Sequence, residues 1–231
     1  MLNSQYEILE GVVESLFVYD ADVNYLANAD RNSQTAGIVS VLQAAVGAPG
    51  AVHSAQAASD SGDPVEAFTM NVGNQAIQGS FWKTTFKNGD NVKVIGFRDD
   101  GAFIAVAVTS PVNRMIWMQP HCERGIAAQR KYLLRNSILF VLAIFILSSY
   151  LFTVPKMTLW FYLLCSSSLA VLSLILTVGM SWKDLMTFAH QMTQAGSALG
   201  IDSPEDINLV KSTSAMVKSG KPELPMGVYY Y

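Results

Sequence analysis

Residues 137–182, SILFVLAIFILSSYLFTVPKMTLWFYLLCSSSLAVLSLILTVGMSW, hold one charged side chain, Lys156, which directly follows Pro155. On either side lie Ser137 to Val154, 18 residues, and Met157 to Ser181, 25 residues. A helix needs about 20 apolar residues to cross a hydrocarbon core of about 30 Å, so each run is long enough to span. A proline–lysine turn between them leaves room only for a tight hairpin at the far membrane face. The competing reading, a buried globular hairpin, needs a polar shell that this chain lacks the material to build. A transmembrane helical hairpin over 137–181 is therefore expected.

Composition points the same way. Of 231 residues only 14% are charged, while 51% are hydrophobic and mean hydropathy is +0.28. Typical soluble proteins carry about 25% charge. Disordered chains, coiled coils and nucleic-acid binders with a basic surface are excluded by that balance. A net charge of −3 and a pI near 5.6 give no reason to expect a nucleic-acid partner. Cys122 and Cys165, the only cysteines, are too few for a disulfide framework or a cysteine-rich zinc site. No cofactor is expected.

Arg124, Arg130, Lys131 and Arg135 crowd the entrance to the first span, and Lys183 follows the second. Positive flanks stay cytoplasmic, so both termini are expected inside and the Lys156 turn outside. Met1 to Asp20 carries Glu7, Glu10, Glu14 and Asp20 without a basic run, unlike a secretory leader. Two membrane crossings are expected.

Neither span contains Asp, Glu, Arg or His, so no proton relay or charged ring follows from them. Ser166, Ser167 and Ser168, with Ser173 and Thr177, are small polar residues that let helices approach closely. They serve either hairpin packing against Ser148 and Ser149 or an oligomer seam that lines a pore. Trp160, Phe161 and Tyr162 near the turn, and Trp182 at the inner end, read as interfacial anchors.

The first 118 residues read as β-structure. Tyr6 to Tyr19 is rich in β-branched and aromatic residues, with Gly11 as a candidate bulge. Ala67 to Val72, Ala76 to Trp82, a strand from Val92, Phe103 to Val108 and Met115 to Met118 follow, separated by glycine turns. Five or six short strands predict a small antiparallel barrel of the OB or SH3-like kind. An Ala/Gly-rich insertion at about 36–64, uncharged over Ala36 to Ala58, is either a flexible excursion or a short segment touching the bilayer. The class is thus an α+β membrane protein: β-rich cytoplasmic domain 1–118, basic junction 119–136, hairpin 137–181, amphipathic helical tail 182–231.

In the tail, Leu185, Phe188, Ala189, Met192, Ala195 and Leu199 repeat at helical spacing and Gly200 is the stop. Ser203-Pro204-Glu205-Asp206 predicts a second helix start, with serine as N-cap and proline at the first position. Lys218 to Tyr231 is expected to fray. With so few basic residues, docking of the amphipathic helix under the barrel is the simpler expectation than lipid attraction.

No catalytic constellation emerges. His53, His121 and His190 stand apart, and His121-Cys122 is a sequence neighbour pair whose side chains diverge. His121-Cys122-Glu123 falls one or two ligands short of a metal site. There is no GxSxG elbow, phosphate-binding glycine loop or HExxH. The expectation is a protein that is not an enzyme.

One block is more specific than its chemistry. Gly79-Ser80-Phe81-Trp82, then Gly89-Asp90-Asn91-Val92-Lys93-Val94, then Pro120-His121-Cys122-Glu123-Arg124-Gly125 directly precede the hairpin. That order resembles a family of bacterial two-span membrane proteins labelled as type VI secretion system effectors, and the resemblance covers nearly the whole chain. The resemblance implies a short β-domain with an Ala/Gly-rich insertion, a Pro-His-x-x-Arg-Gly junction, two spans and a helical tail. It implies an association with type VI secretion but brings no catalytic residues.

The junction also has a physical reading. Pro120 ends the last strand, Arg124 and Gly125 redirect the chain, and Arg130, Lys131 and Arg135 stand at headgroup level, with His121 at the barrel base. A rigid elbow is the simpler reading, and lipid recognition the sharper one. Two functions remain. One is a membrane-targeting effector whose hairpin forms a homo-oligomer in the bilayer. The other is a resident immunity, adaptor or scaffold protein whose β-domain binds a type VI secretion or toxin partner.

Overall fold

A computed structural model describes residues 6–23, 25, 63–99, 102–152 and 158–231. The expected insertion lies outside them apart from Asp63 and Pro64, which open a strand. The Lys156 turn also lies outside them. The elements in order are β1 (Glu7–Val23), β2 (Asp63–Val72), β3 (Gln75–Phe81), β4 (Asn91–Asp99), β5 (Ala102–Ser110) and β6 (Met115–Met118). After these come α1 (Ile126–Phe152), α2 (Leu159–Ala198), a 3-10 turn (Pro204–Asp206), α3 (Leu209–Lys218) and β7 (Val228–Tyr230).

The class is α+β, and five strands close a barrel. β1 pairs antiparallel with both β2 and β4, β2 with β3, and β4 with β5. Closure comes from β3 against β5, where Ile77 meets Phe103 and Gln78 meets Ile104. That pair is parallel, so the barrel is not purely antiparallel as expected. β1 can serve two neighbours because its 17 residues are bent: its register against β2 shifts between Glu14 and Phe17, and Ser15 is left-handed at φ +50°. The bend falls there and not at Gly11, which keeps regular pairing with Val92.

Alternation fills the interior. Val13, Phe68, Met70, Ile77, Phe81 and Val94 converge there, with Phe68 and Phe81 rings 5.0 Å apart. Phe86, from the loop between β3 and β4, meets Trp117 edge-on at 5.3 Å. β5 is buried on both faces. Phe103, Ala105 and Val108 line the interior, while Ile104, Val106 and Ala107 share a second core with Phe188, Met192 and Ala195 of α2. The stripe read at helical spacing in the tail thus docks on the barrel, as expected.

The helices form an antiparallel pair. Ile126 N–H donates to Thr193 Oγ1 at the barrel end, and Tyr162 and Ser148 hydroxyls meet at the other. Both the barrel and the C-terminal segment therefore lie at one end of the pair. Ile126–Ser148 is long and apolar enough to cross a membrane, and almost none of its apolar stretch is buried within the chain. Within the described residues the apolar stretch of α2, Leu159–Ile175, is shorter than that. Among the described residues one helix, not two, meets the criterion.

Three boundaries differ from expectation. α2 runs through Trp182 without a break, because Ser181-Trp182-Lys183-Asp184 contains no proline and no capping stop; its 40 residues make one rod of about 60 Å. The junction becomes helical at Ile126. The C-terminus is not frayed: Met115, Ile116 and Trp117 pair with Tyr230, Tyr229 and Val228, so the tail completes a seven-stranded sheet. α3 covers the β7 edge, where Ser212 Oγ donates to Tyr230 O at 2.6 Å and Tyr230 N–H donates to Thr213 Oγ1 at 2.9 Å. Covering an edge in this way prevents strand addition by another chain.

At Gly96 β4 has no room for a side chain against β5. A Cβ there would overlap the Ile104 carbonyl oxygen. Gly96→Ala is expected to cost about 3 kcal/mol or more, since the backbone of β5 must move. Gly179→Ala, where a Cβ meets nothing within 4 Å, should be neutral or stabilising by up to about 1 kcal/mol. Thermal unfolding of the two purified variants checks the contrast.

Candidate functional site

The junction after β6 is where most of the expected site residues gather. Pro120 is buried and ends β6, and Gln119 Nε2 donates to Ala105 O at 3.2 Å. His121 then takes a left-handed conformation, φ +65°, which turns its ring back toward the barrel mouth. Its Nε2 lies 3.0 Å from Asp63 Oδ2, its ring is edge-on to Trp82 at 5.8 Å, and Phe188 of α2 lies 5.5 Å away. One side chain thus touches the start of β2, the end of β3 and α2.

Cys122 points the other way, into the core. It is fully buried and its thiol donates to Gln191 Oε1 at 3.4 Å. Burial pushes the thiol well up, with the Glu123 charge adding to it. That is the opposite of what a nucleophile or metal ligand requires. Tyr25 behaves likewise: burial pushes its phenol up, and its hydroxyl bonds the Ser80 hydroxyl. Among the described residues no group of three His, Cys, Asp or Glu is placed to hold a metal ion.

Glu123 to Ile126 form a stitch with the C-terminal segment. Gly125 N–H donates to Ile207 O at 2.9 Å, and Leu209 N–H to Glu123 O at 3.0 Å, around a bridge between Arg124 and Asn208. This pairing explains a missed helix start. Ser203 is left-handed and caps nothing, the turn after it is three residues long, and α3 begins only at Leu209. Its N-cap is Asn208, whose Oδ1 accepts from Lys211 N–H at 3.0 Å. Backbone at 207–209 is taken up by the stitch and is not free to continue a helix from Pro204.

Gly125 is a second position with no room. A Cβ would overlap Pro204 O and stand 2.7 Å from Glu205 O. Arg124 lays its guanidinium over the Tyr132 ring at 4.1 Å, and its side chain is mostly buried. Lys131 reaches Asp206 at 3.1 Å, with both side chains largely exposed. Arg130 and Arg135 are exposed on α1. His121 thus faces the barrel and Arg124 is mostly buried against Tyr132, while Arg130, Lys131 and Arg135 are exposed on α1.

The serines are not brought together. Ser166 is buried and its hydroxyl donates back to Tyr162 O at 2.5 Å. Ser167 is exposed, donating to Leu164 O at 3.1 Å, and Ser168 is exposed as well. Ser173 is half-buried, and the Thr177 side chain lies outside the described residues.

Comparisons with known protein families, with curated proteins and with solved structures find no match. The site stands on its own geometry. Asp63, Tyr132, Thr193 and Asn208 belong to it and were not singled out as site residues, and Trp82 was read only as part of a strand and of the Gly79–Trp82 block. Only Asn208, a capping residue type before a helical run, carried a local signal.

Asp63 and His121 are expected to be coupled by about 1 kcal/mol in a double-mutant cycle of Asp63→Ala and His121→Ala. Thermal or denaturant unfolding of the four proteins measures it. Additive losses would mean that the pair does not hold β2 to the junction.

Proposed function

We propose that this chain is a non-enzymatic integral membrane protein whose helix pair anchors a partner-binding barrel to the cytoplasmic face of a bacterial inner membrane. One observation carries the reading. Outward-facing apolar side chains begin at Leu134, continue through Ile138, Leu139 and Phe140 to Leu147, and return from Trp160 to Ile175. In water each such side chain forgoes about 1.5–3 kcal/mol of burial, and a patch of this extent marks a membrane or protein contact. In lipid it carries no penalty. On this reading α2 crosses as well as α1, with Leu159–Ile175 extended toward Trp182.

Orientation rests on the flanks: Arg124, Arg130, Lys131, Arg135 and Lys183 lie toward the barrel end. We read the barrel as OB-type, because the ring β1-β2-β3-β5-β4 is five-stranded, bent at β1 and closed by a crossover pair. A barrel stitched to both helices suits a resident adaptor, immunity or scaffold protein, since docking the helices elsewhere would mean breaking the second core. The link to type VI secretion rests on the resemblance of the Pro120–Gly125 junction and the parts around it.

A second reading is favoured by Ser167 and Ser168, which face outward from the pair. Several copies packed through that face would give a homo-oligomeric pore, the form an effector would take. Purified protein in liposomes separates the two. The anchor reading expects no ion flux at any protein density, whereas flux abolished by Ser167→Leu in protein that still inserts would establish the pore.

Cys165 tests the membrane itself. It is exposed on α2, and Cys122 is buried. In intact membranes a water-soluble maleimide is expected to leave the chain unlabelled, while labelling both thiols after the protein is denatured in SDS. Labelling of Cys165 without detergent would overturn the two-span anchor.

A further inference from the structure

A cleft of about 290 Å³ opens between α1 and the stitched segment, with Lys131, Tyr132 and Arg135 on one wall and Asp206, Asn208 and Lys211 on the other. Lys131, Tyr132 and Arg135 share one face of α1, being three, four and seven residues on from Ala128. Three cations face one carboxylate. Behind the wall the Arg124 guanidinium lies over the Tyr132 ring, 3.9 Å from the Glu123 carboxylate that balances its charge. The Lys131–Asp206 pair does not use up this charge: its side chains are 78% and 54% exposed, and ion pairs of that kind contribute little. A stronger anion can displace Asp206.

The cleft's position narrows the anion. Leu134, beside Arg135, is 63% exposed, and Ile138 and Leu139 continue the apolar surface one turn on. Charge and apolar surface therefore meet at the lip, within one helical turn. A free anion would use only the cleft, whereas an amphiphile fits both halves.

We propose that this cleft binds the phosphate of an anionic lipid headgroup, with Lys131, Arg135 and Lys211 as donors and the acyl chains along the Leu134–Ile138 side of α1. The proposal rests on the membrane reading above and adds a headgroup specificity to it. The lipid would bridge α1 and α3, two elements that the chain already stitches through Gly125 and Asn208. Its phosphate would lie at the depth where the helix pair enters the bilayer.

The test uses the full chain, purified in a neutral detergent, with melting followed as phosphatidylglycerol, phosphatidylcholine or inorganic phosphate is added. Phosphatidylglycerol alone should raise the melting temperature. The Arg135→Gln/Lys211→Gln variant should need about thirtyfold more of it, because two of the three cationic donors are gone. If that variant folds poorly, Lys211→Gln alone should need about fivefold more. Equal stabilisation by phosphatidylcholine would mean acyl contact only, and equal stabilisation by inorganic phosphate a site for free phosphate; either overturns the lipid assignment. An unchanged response in both variants overturns the residue assignment. Flotation with phosphatidylcholine vesicles separates the two layers: a chain that fails to incorporate removes the membrane reading and this inference with it. Incorporation without a phosphatidylglycerol preference removes only the inference.

Discussion

Gly125 marks the point where the chain leaves the barrel, and the backbone of Pro204 and Glu205 lies against it so closely that a side chain cannot enter. Everything else in the architecture follows from that crossing. α1 departs here, α2 returns here, and the segment after α2 must pass directly over the departure point. Hydrogen bonds from Gly125 to Ile207 and from Leu209 to Glu123 satisfy backbone groups that would otherwise be stranded beside a core. The helix pair is consequently held at its base by main chain, and its direction relative to the barrel does not depend on surface ion pairs.

The same crossing accounts for the burial of β5 on both faces. A barrel strand ordinarily shows its outer face to solvent and alternates accordingly. Here Ile104, Val106 and Ala107 are apolar because Phe188, Met192 and Ala195 lie over them. α2 can reach that position only because its rod continues past Trp182 unbroken. The apolar surface that faces outward at one end of α2 becomes a docking face at the other. His121 fastens the remaining corner, touching Asp63, Trp82 and Phe188 from a single left-handed residue.

What could be read from residues alone divides along physical lines. Met115 to Met118 and the strands around Val94 and Val106 were legible because apolar runs bounded by glycine turns are local signals. The docking stripe of α2 was legible because helical spacing is local too. Closure through the parallel pair of Ile77 and Phe103 was not, since it joins residues far apart in the chain and leaves no mark on either run. Nor was β7: Val228-Tyr229-Tyr230 is too short to read as a strand and owes its place to the edge of β6. Ser203 misled because it has the composition of a cap, while tertiary pairing at Asn208 took the backbone first. At the junction the residue types were readable, but their partners were not, because Arg124 meets Tyr132 and Asn208, and Lys131 meets Asp206, only in the folded chain.

The geometry of the hairpin bears on which activity this architecture suits. A conducting assembly needs small polar residues turned toward a shared lumen, and Ser166 is already turned inward, bonded to its own helix. Ser167 and Ser168 remain on the outside, flanked by the exposed Leu164, Leu169 and Leu172. Two hydroxyls among leucines make a modest seam for helix contact rather than a water-filled wall. The groups that concentrate charge and aromatic surface lie instead at the base, where Arg124 stacks on Tyr132 and Lys131 meets Asp206. Chemistry capable of discriminating a ligand thus sits where the barrel meets the helices, and the helices themselves are uniform. The anchor role proposed above follows that division: a folded module held at a surface, with recognition at the junction and on the barrel.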